Sequence, residues 1–466
     1  MENASWGDCW NFEASNDVPF PIVVAVPVSS GLAKTSLRNA PNGGARMPSY
    51  SVAVNPQPSP IGKPDRIDSL DALRGVALLG ILLVNIFSIA QPHYSSPNAY
   101  GDLHGANFAV WLFSHTFAYL KFLSIFSMLF GAGVYLFTSR IEDTGRRSGW
   151  LHYRRMLVLI MFGLLHAYFL WFGDILVHYG ICGLLLYPFR KLQPRRLILI
   201  GTGILLIPIL TGVVYISTMG PNDFREFEKD LHPTPTAVAS DLATFRGGWL
   251  GQLSTRANEA FEFETTVFGW EYFWRELGLM LIGMALFKLG VFNATLRKAV
   301  YLRMIGAAIL VGIPLTLYGV YGNYTVAWQS LPIYFRGEFA DYVASLFLAF
   351  GWVGVVMLAC KSPVIKKLIG PLKAVGRAAF SNYILQTLIC TTLFYGHGFG
   401  LYGHISRVGQ FGIVLAIWAV QLLVSTLWFR FFRMGPLESL WRSLTYWKPQ
   451  PLCERGGVSL FRWQSA

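Results

Sequence analysis

Apolar residues are gathered into long runs along this chain, and short polar or basic segments separate the runs. Ten runs approach the roughly 20 residues that an α-helix needs to cross a bilayer. The pattern predicts an all-α fold, a polytopic transmembrane helical bundle of about ten spans. The predicted spans are 72–91, 121–138, 153–172, 175–189, 196–217, 272–289, 300–318, 342–360, 379–396 and 408–430. Residues 107–120 are apolar too, and either extend the second span or lie on the outer surface.

The composition supports a location in a membrane. Hydrophobic residues make up 53% of the 466 residues and charged residues only 14%, whereas a soluble domain carries about 25% charged residues. The net charge of +13 comes from basic residues in the short segments between apolar runs, so it does not indicate nucleic acid as a partner. The lipid bilayer is the predicted partner, and the composition leaves the oligomeric state open.

The basic residues fall in alternate connections. They are frequent before the spans at 153, 196 and 300, again after 360, and in the C-terminal segment, whereas the intervening connections contain few. Since cytoplasmic loops carry the excess of lysine and arginine, both termini are predicted to be cytoplasmic. The chain is then expected to be a multi-pass protein of a bacterial plasma (inner) membrane.

Residues 218–270 form a long outer connection, which is either an extracytoplasmic insertion facing a substrate or a plain solvated loop.

Composition also divides the chain into segments. Residues 1–64 are rich in Pro, Ser, Asn and Gly and are predicted to be a disordered N-terminal extension. The transmembrane domain follows over 65–448, and 449–466 are predicted to form a cytoplasmic tail. Leu437, Leu440, Trp441 and Leu444 recur at helical spacing, which predicts a helix on the inner membrane surface. The five cysteines are scattered and no CxxC spacing occurs, so no metal site is predicted.

Charged and polar groups mark both ends of the first predicted span. Asp71 and Arg74 stand three residues apart where the helix enters the bilayer, and Asn85 lies near its other end. Ionised groups at that depth are costly and commonly have a function. Together with Arg66 and the basic loops, Arg74 would attract an anionic, phosphate-bearing ligand from the cytosol. The same cations would also satisfy the positive-inside rule without any ligand.

Histidines are unevenly placed. Of the nine, all but His152 fall in the predicted outer half or outside the bilayer. A tight hairpin carries His166, Asp174, His178 and Tyr179, and Asp174 would cap the helix that follows it. Asp174 and His178 are four residues apart and share a helix face, so the carboxylate would orient that imidazole. The alternative is a capping residue beside an inert interfacial histidine.

Two further polar groups lie at the ends of apolar runs. Glu271 and Arg275 are spaced to pair at the outer mouth of the sixth span. Asn382 and Gln386 fall on one face of the ninth span. Such groups either line an interior path or hydrogen-bond to neighbouring helices, and the second role is the more common one in membranes.

The chain resembles the YeiB-like integral-membrane family, long catalogued as a domain of unknown function. The resemblance covers about residues 65–448. It is carried by Arg66-Ile-Asp-Ser-Leu-Asp71-Ala-Leu-Arg74-Gly75 through Asn85, Lys121 to Gly133, Gly163 to Tyr179, Gly376 to Gln386 and Gly435 to Arg442. The family looks distantly similar to transmembrane acyltransferases of the heparan-alpha-glucosaminide N-acetyltransferase type. That similarity implies a cytosolic acyl-CoA as co-substrate and a histidine after the first helix, where His93 and His104 stand here.

The leading hypothesis is an acyltransferase that moves an acyl group from cytosolic acyl-CoA to an extracytoplasmic glycan, cell-wall component or metabolite. The candidate catalytic residues are His93, His104, His166 and Asp174. The candidate substrate-binding residues are Asp71, Arg74, Asn85, Lys121, His178, Tyr179, Glu271, Arg275, Asn382 and Gln386, with Asn85 and Lys121 as oxyanion donors. The rival hypothesis is a transporter or export permease whose path contains Asp71, Arg74, Asp174 and the polar stripe of the ninth span. A membrane protein without chemistry is the third.

Overall fold

The computed structural model describes residues 66–453, apart from the side chains of Phe224, Glu226, Asp230 and Lys367. The predicted disordered extension 1–64 and residues 454–466 of the predicted tail lie outside the described residues. Over the described range the chain is built from helices and contains no named strand, which confirms the all-α fold class.

Every predicted apolar span lies on a helix. The first half of the chain forms α1 (Asp68–Ala90), α2 (Gly105–Phe117), α3 (Lys121–Glu142), α4 (Gly149–Phe169), α5 (Leu176–Leu186), α6 (Pro194–Leu205), α7 (Ile207–Thr218), α8 (Pro221–Leu231), α9 (Pro235–Arg246) and α10 (Leu253–Glu262). The second half forms α11 (Phe273–Lys288), α12 (Lys298–Ala307), α13 (Ile313–Thr325), α14 (Leu331–Lys361), α15 (Pro363–Leu368), α16 (Gly370–Arg377), α17 (Ala379–Phe394), α18 (Arg407–Phe431) and α19 (Pro436–Tyr446). Phe263–Tyr272 and Ala308–Gly312 are wider π-helical turns that join α10 to α11 and α12 to α13.

Six helical segments among the described residues are long and apolar enough to cross a membrane. They are Asp68–Ala90, Gly105–Glu142, Pro194–Thr218, Lys298–Thr325, Leu331–Lys361 and Arg407–Phe431. The other four predicted spans are helical but lie on shorter or less apolar helices, namely α4, α5, α11 and α17. The chain is therefore described as a helical membrane protein. The count of ten spans and the cytoplasmic location of both termini stay predictions.

The apolar segment 107–120 does not simply extend the second span. It forms α2, which is interrupted at residues 118–120 before α3 begins. Leu120 has φ of 59°, in the left-handed region that side chains with a Cβ rarely adopt. The interruption sets α2 apart from α3 and places Lys121 at the first position of α3.

Glycines allow two helix pairs to cross at backbone contact. A Cβ at Gly131 of α3 would collide with the Met280 carbonyl of α11, and one at Gly283 would collide with the Met128 carbonyl in return. The second crossing is similar, since α1 and α16 meet at Gly75 and Gly376. Small residues at such positions let membrane helices pack by van der Waals contact. These crossings fix α1 and α3 in the centre of the bundle.

Helix α1 runs between two chemically different ends of the bundle. Its start carries Arg66 and Arg74, close to α19, and this region is called the basic end below. Its last turn lies beside a cavity, and that region is called the cavity end. Residues 218–270 contain α8 to α10 and most of a π-helical turn, so this connection is largely helical rather than a plain loop. They are tied to the cavity end because Tyr94 donates to Asp241 and Arg246 donates to the Tyr402 carbonyl.

Helix α19 packs on the basic end. The Trp441 indole donates to the Arg155 carbonyl at 3.0 Å, and Glu438 accepts from the Phe380 amide at 2.8 Å. Leu437 and Trp441 contact the core, while Leu440 is 45% exposed. The predicted apolar face is therefore divided: part of it binds the bundle, and only the remainder is free to lie on a membrane surface.

Candidate functional site

A cavity of about 210 Å³ lies where α1 ends. Its walls come from the connection after α1, from α2, α13 and α14, and from Arg407 of α18. His93 lines it, and the His93 ring contacts the Ser88 hydroxyl through Nδ1 at 3.3 Å. His93 is exposed rather than buried, so its imidazole is accessible to a ligand in the cavity.

The remaining predicted catalytic histidines do not reach this cavity. His104 is exposed at the residue before α2 and is not part of the cavity wall. His166 is buried, with Nδ1 at 2.8 Å from Asp174 Oδ1 and Nε2 at 3.0 Å from Thr387 Oγ1. Both nitrogens of His166 are thus occupied by protein groups. His93 is the predicted base that the structure brings to a cavity.

The hairpin between α4 and α5 pairs differently from the sequence prediction. Asp174 accepts from the Val177 amide at 2.8 Å, as a capping residue does, but its other oxygen orients His166 and not His178. The expected Asp174–His178 pair is therefore wrong. A tight turn folds Asp174 back onto the preceding helix, so the longer-range partner takes precedence over the neighbour four residues along.

His178 has two carboxylates from elsewhere in the chain. Its Nε2 lies 3.2 Å from Glu264 and its Nδ1 lies 3.5 Å from Glu276, and its ring stacks on Phe268 at 4.1 Å. The neighbouring Tyr179 hydroxyl lies 3.0 Å from the Ser127 hydroxyl. His178 and Tyr179 are buried among the helices and do not line the cavity at the end of α1.

A buried ion pair connects the cavity wall to the start of α3. Asp341 lines the cavity and accepts from Lys121 Nζ at 2.9 Å and from the Thr316 hydroxyl at 2.9 Å. Lys121 is fully buried and also donates to the His115 carbonyl at 2.9 Å. Lys121 therefore neutralises Asp341, which differs from the predicted oxyanion contact. Asn85 is half-buried on α1, one turn before Ser88.

Arg275 is the second buried cation. Its guanidinium donates to the Ser124 and Ser345 hydroxyls at 2.9 and 2.6 Å and lies over the Tyr342 ring. Among the described residues it forms no ion pair with Glu271, so the predicted direct pair is wrong. Arg275 points into the bundle because hydroxyls and an aromatic face there replace water around the charge.

Asn382 and Gln386 join two helices. Asn382 donates to the Ser425 hydroxyl at 3.0 Å, and Gln386 donates to the Gln421 side chain at 2.9 Å. Gln421 in turn donates to the Asn382 carbonyl. The polar stripe of α17 therefore binds α18, which agrees with the helix-packing alternative.

The basic end holds a group of arginines from three parts of the chain. Asp71 pairs with Arg74 at 3.1 Å and with Arg66 at 3.9 Å. Arg155 lies between the rings of Phe137 and Trp441, at 4.5 and 4.4 Å. Arg442 has a buried Nη1 with no hydrogen-bond partner in the described part of the chain. Burial, followed by the nearby Arg66, lowers the pKa of the Arg442 guanidinium. We call Arg66, Arg74, Arg155 and Arg442 the arginine cluster.

Sequence reasoning missed three acids and amides that matter here: Glu338, Asp341 and Gln421. The two acids stand just before the apolar run 342–360, in the same relation to it that Asp71 has to the first run. Applying the same criterion of ionised groups at the mouth of a span would have found them. Gln421 stands inside an apolar run, and a polar side chain there also needs a partner.

Comparisons with known proteins give a consistent result. The model of the family described as "Protein of unknown function (DUF418)" matches residues 286–448. The chain is 32% identical over 383 residues to "Uncharacterized protein YeiB" of Escherichia coli (strain K12), which covers 82% of this chain and 96% of that protein. It is 30% identical over 417 residues to "Uncharacterized protein YxaH" of Bacillus subtilis (strain 168), which covers 84% and 98%. The chain belongs to this YeiB-like DUF418 family of helical membrane proteins.

Proposed function

We propose that this protein is a membrane acyltransferase that uses a cytosolic acyl-CoA and an acceptor from the other side of the membrane. The main observation in its support is that α1 connects the arginine cluster at its start to the cavity at its end, which His93 lines. Its 23 residues correspond to a length of about 34 Å, close to the roughly 30 Å of a hydrocarbon core. One helix therefore separates an anion-binding end from a proton-accepting end by a membrane thickness.

The arginine cluster suits the phosphates of a CoA donor. Guanidinium groups bind phosphate through pairs of parallel hydrogen bonds, and they stay charged near neutral pH. Asp71 pairs with Arg66 and Arg74 and neutralises the cluster only in part. The Nη1 of Arg442 is buried without a hydrogen-bond partner among the described residues, and we propose that it donates to such an anion. The bound donor would have to extend its acyl-thioester arm alongside α1 toward Asn85.

The transfer step uses His93 as the general base. Its imidazole takes the proton of an acceptor hydroxyl or amine while that oxygen or nitrogen bonds to the thioester carbonyl carbon. The carbon–sulfur bond then breaks, and the CoA thiolate receives the proton from the imidazolium. Ser88 holds the His93 ring through Nδ1, and the half-buried Asn85 amide is the candidate donor to the oxyanion.

A transporter is the second candidate, and one observation favours it. The Lys121–Asp341 ion pair is buried, and Asp341 forms part of the cavity wall. Charged groups inside helical membrane proteins commonly mark an ion or substrate path. In that case the cavity would be a binding site for cargo, and acyl-CoA would have no place at the basic end.

Binding of acetyl-CoA to the full chain in lipid nanodiscs tests the proposal. Binding should be saturable and should weaken with salt, because ions screen contacts between phosphates and arginines. Arg442→Gln and Arg74→Gln should each weaken it roughly tenfold, the scale of one charged hydrogen bond. Arg225→Gln is the matched control, since Arg225 is exposed on α8 in the 218–270 insertion.

His93→Gln should leave acetyl-CoA binding unchanged, because the base acts on the acceptor and not on the nucleotide. His232→Gln, at an exposed position, controls for loss of an imidazole. Absence of acetyl-CoA binding at low salt would overturn the enzyme proposal and favour transport.

A further inference from the structure

One carboxylate on the cavity wall has no partner of its own. Glu338 of α14 lines the cavity and is half-buried, and its carboxylate takes part in no hydrogen bond or ion pair among the described residues. Asp341, one helical turn later, has Lys121 and Thr316. Both acids therefore line the cavity from the same helix, but protein groups satisfy Asp341, whereas Glu338 has no partner among the described residues.

The charges around Glu338 leave an excess of one negative charge. The nearby acids are Asp341 and Glu271, and the nearby cations are Lys121 and Arg275. Arg407 is also part of the wall, but it is already engaged by Asp102 at 3.4 Å and by the Pro97 carbonyl at 2.7 Å. An uncompensated buried charge is costly, so this site favours a cation supplied by a ligand.

Aromatic rings enclose the same space. Trp111 and Trp328 meet edge to face at 5.7 Å, and Tyr119 and Tyr334 line the wall beside Glu338. The faces of such rings attract ammonium groups, most strongly where water is excluded. The volume of about 210 Å³ is below the 300–1,000 Å³ usual for drug-sized ligands, so the ligand must be small.

We infer that the cavity binds a compact organic ammonium group, with Glu338 as its counter-ion and the surrounding aromatic rings as its enclosure. The inferred ammonium site does not depend on whether the protein is an enzyme. The further inference that the bound ammonium compound is the acyl acceptor rests on the proposed acyl transfer. An ammonium nitrogen has no free electron pair, so the acyl group would go to a hydroxyl of the same molecule. The acceptor class is then a small amino alcohol.

Radiolabelled choline, a compact ammonium alcohol, is the probe for scintillation proximity binding to the full chain in nanodiscs. Choline should bind saturably, and 3,3-dimethyl-1-butanol, its neutral isostere, should compete about tenfold less well or worse because it lacks the charge. Glu338→Gln should reduce choline binding to the level of the isostere. Glu228→Gln, at an exposed position on α8, should bind like the wild type.

Equal competition by the isostere, or unchanged choline binding in Glu338→Gln, would overturn the inference. Displacement by sodium at the same concentration as choline would assign the site to an inorganic cation and would overturn it too. If Glu338→Gln fails to fold, Trp111→Leu should weaken choline binding through the lost ring face. Acetyl-CoA binding measured on the same samples separates the two proposals, because either ligand can bind without the other.

Discussion

The two ends of α1 differ in which charge is in excess. At the basic end, four arginines come from α1, α4, α19 and the segment just before α1, and Asp71 pairs with two of them, Arg66 and Arg74. At the cavity end, Glu338 has no partner among the described residues, and the nearby acids outnumber the nearby cations. Uncompensated charge adds nothing to the stability of a membrane protein. The two proposals above therefore place a ligand of opposite charge at each end, an anion at the basic end and a cation at the cavity end.

A second contrast separates polar groups in closed buried networks from polar groups on the cavity wall. The His166–Asp174–Thr387 contacts and the Asn382–Gln421 contacts are buried and closed on themselves. His93 and Glu338, by contrast, face a cavity. Closed networks hold helices together, and a ligand would have to break them in order to bind. Function is therefore expected at the polar groups that line the cavity.

The largest effect is expected from breaking the buried Lys121–Asp341 ion pair at the cavity wall. Lys121→Ala should lower the free energy of unfolding by about 3–5 kcal/mol, because Asp341 would be left as an unpaired buried charge. Thermal unfolding in detergent measures it, with the exposed Lys298→Ala as control. A variant as stable as wild type would show that Asp341 readily takes a proton, and would remove the distinction drawn between Asp341 and Glu338.

The next effect compares two histidines of the proposed outer half. His166→Gln should cost about 2 kcal/mol, since it disturbs hydrogen bonds to a buried carboxylate. His93→Gln should leave the unfolding temperature within about a degree, as expected for an exposed side chain. If His93→Gln lowered stability more than His166→Gln does, the distinction between closed buried networks and groups on the cavity wall would be wrong.

The smallest effect concerns the insertion at the cavity end. Burial, helped by Asp241, raises the pKa of Glu259 to about 7. Its folded-state pKa is above the ordinary value of 4.5, so the folded state favours the protonated form. Stability is therefore full below about pH 4.5 and decreases as the pH rises through about 7. Hydrogen exchange of α10 at pH 5 and pH 8 should show weaker protection at pH 8. Glu259→Gln should reduce that difference, and Glu228→Gln, at an exposed position on α8, should not.

Much of the architecture follows from local properties of the sequence. Long apolar runs predict helices because a helix satisfies its own backbone in lipid, and all ten predicted runs are helical here. The Asp71–Arg74 pair was predictable for the same reason, since residues three apart on a helix are neighbours. The family membership likewise follows from the order of motifs along the chain.

The partners of the buried polar groups were decided by the tertiary structure. Lys121 and Asp341 are 220 positions apart, and Asp174 prefers His166 over the nearer His178 because a turn returns the chain onto α4. Helical spacing determines which side chains share a face, but it does not determine which other helix that face meets. Glycines that allow close backbone contact, such as Gly131 and Gly283 where α3 crosses α11, contribute to that choice. For that reason the sequence by itself determined the helices and their candidate residues, whereas only helix packing decided that His93 and Glu338 face the cavity while His166 and Lys121 are closed off.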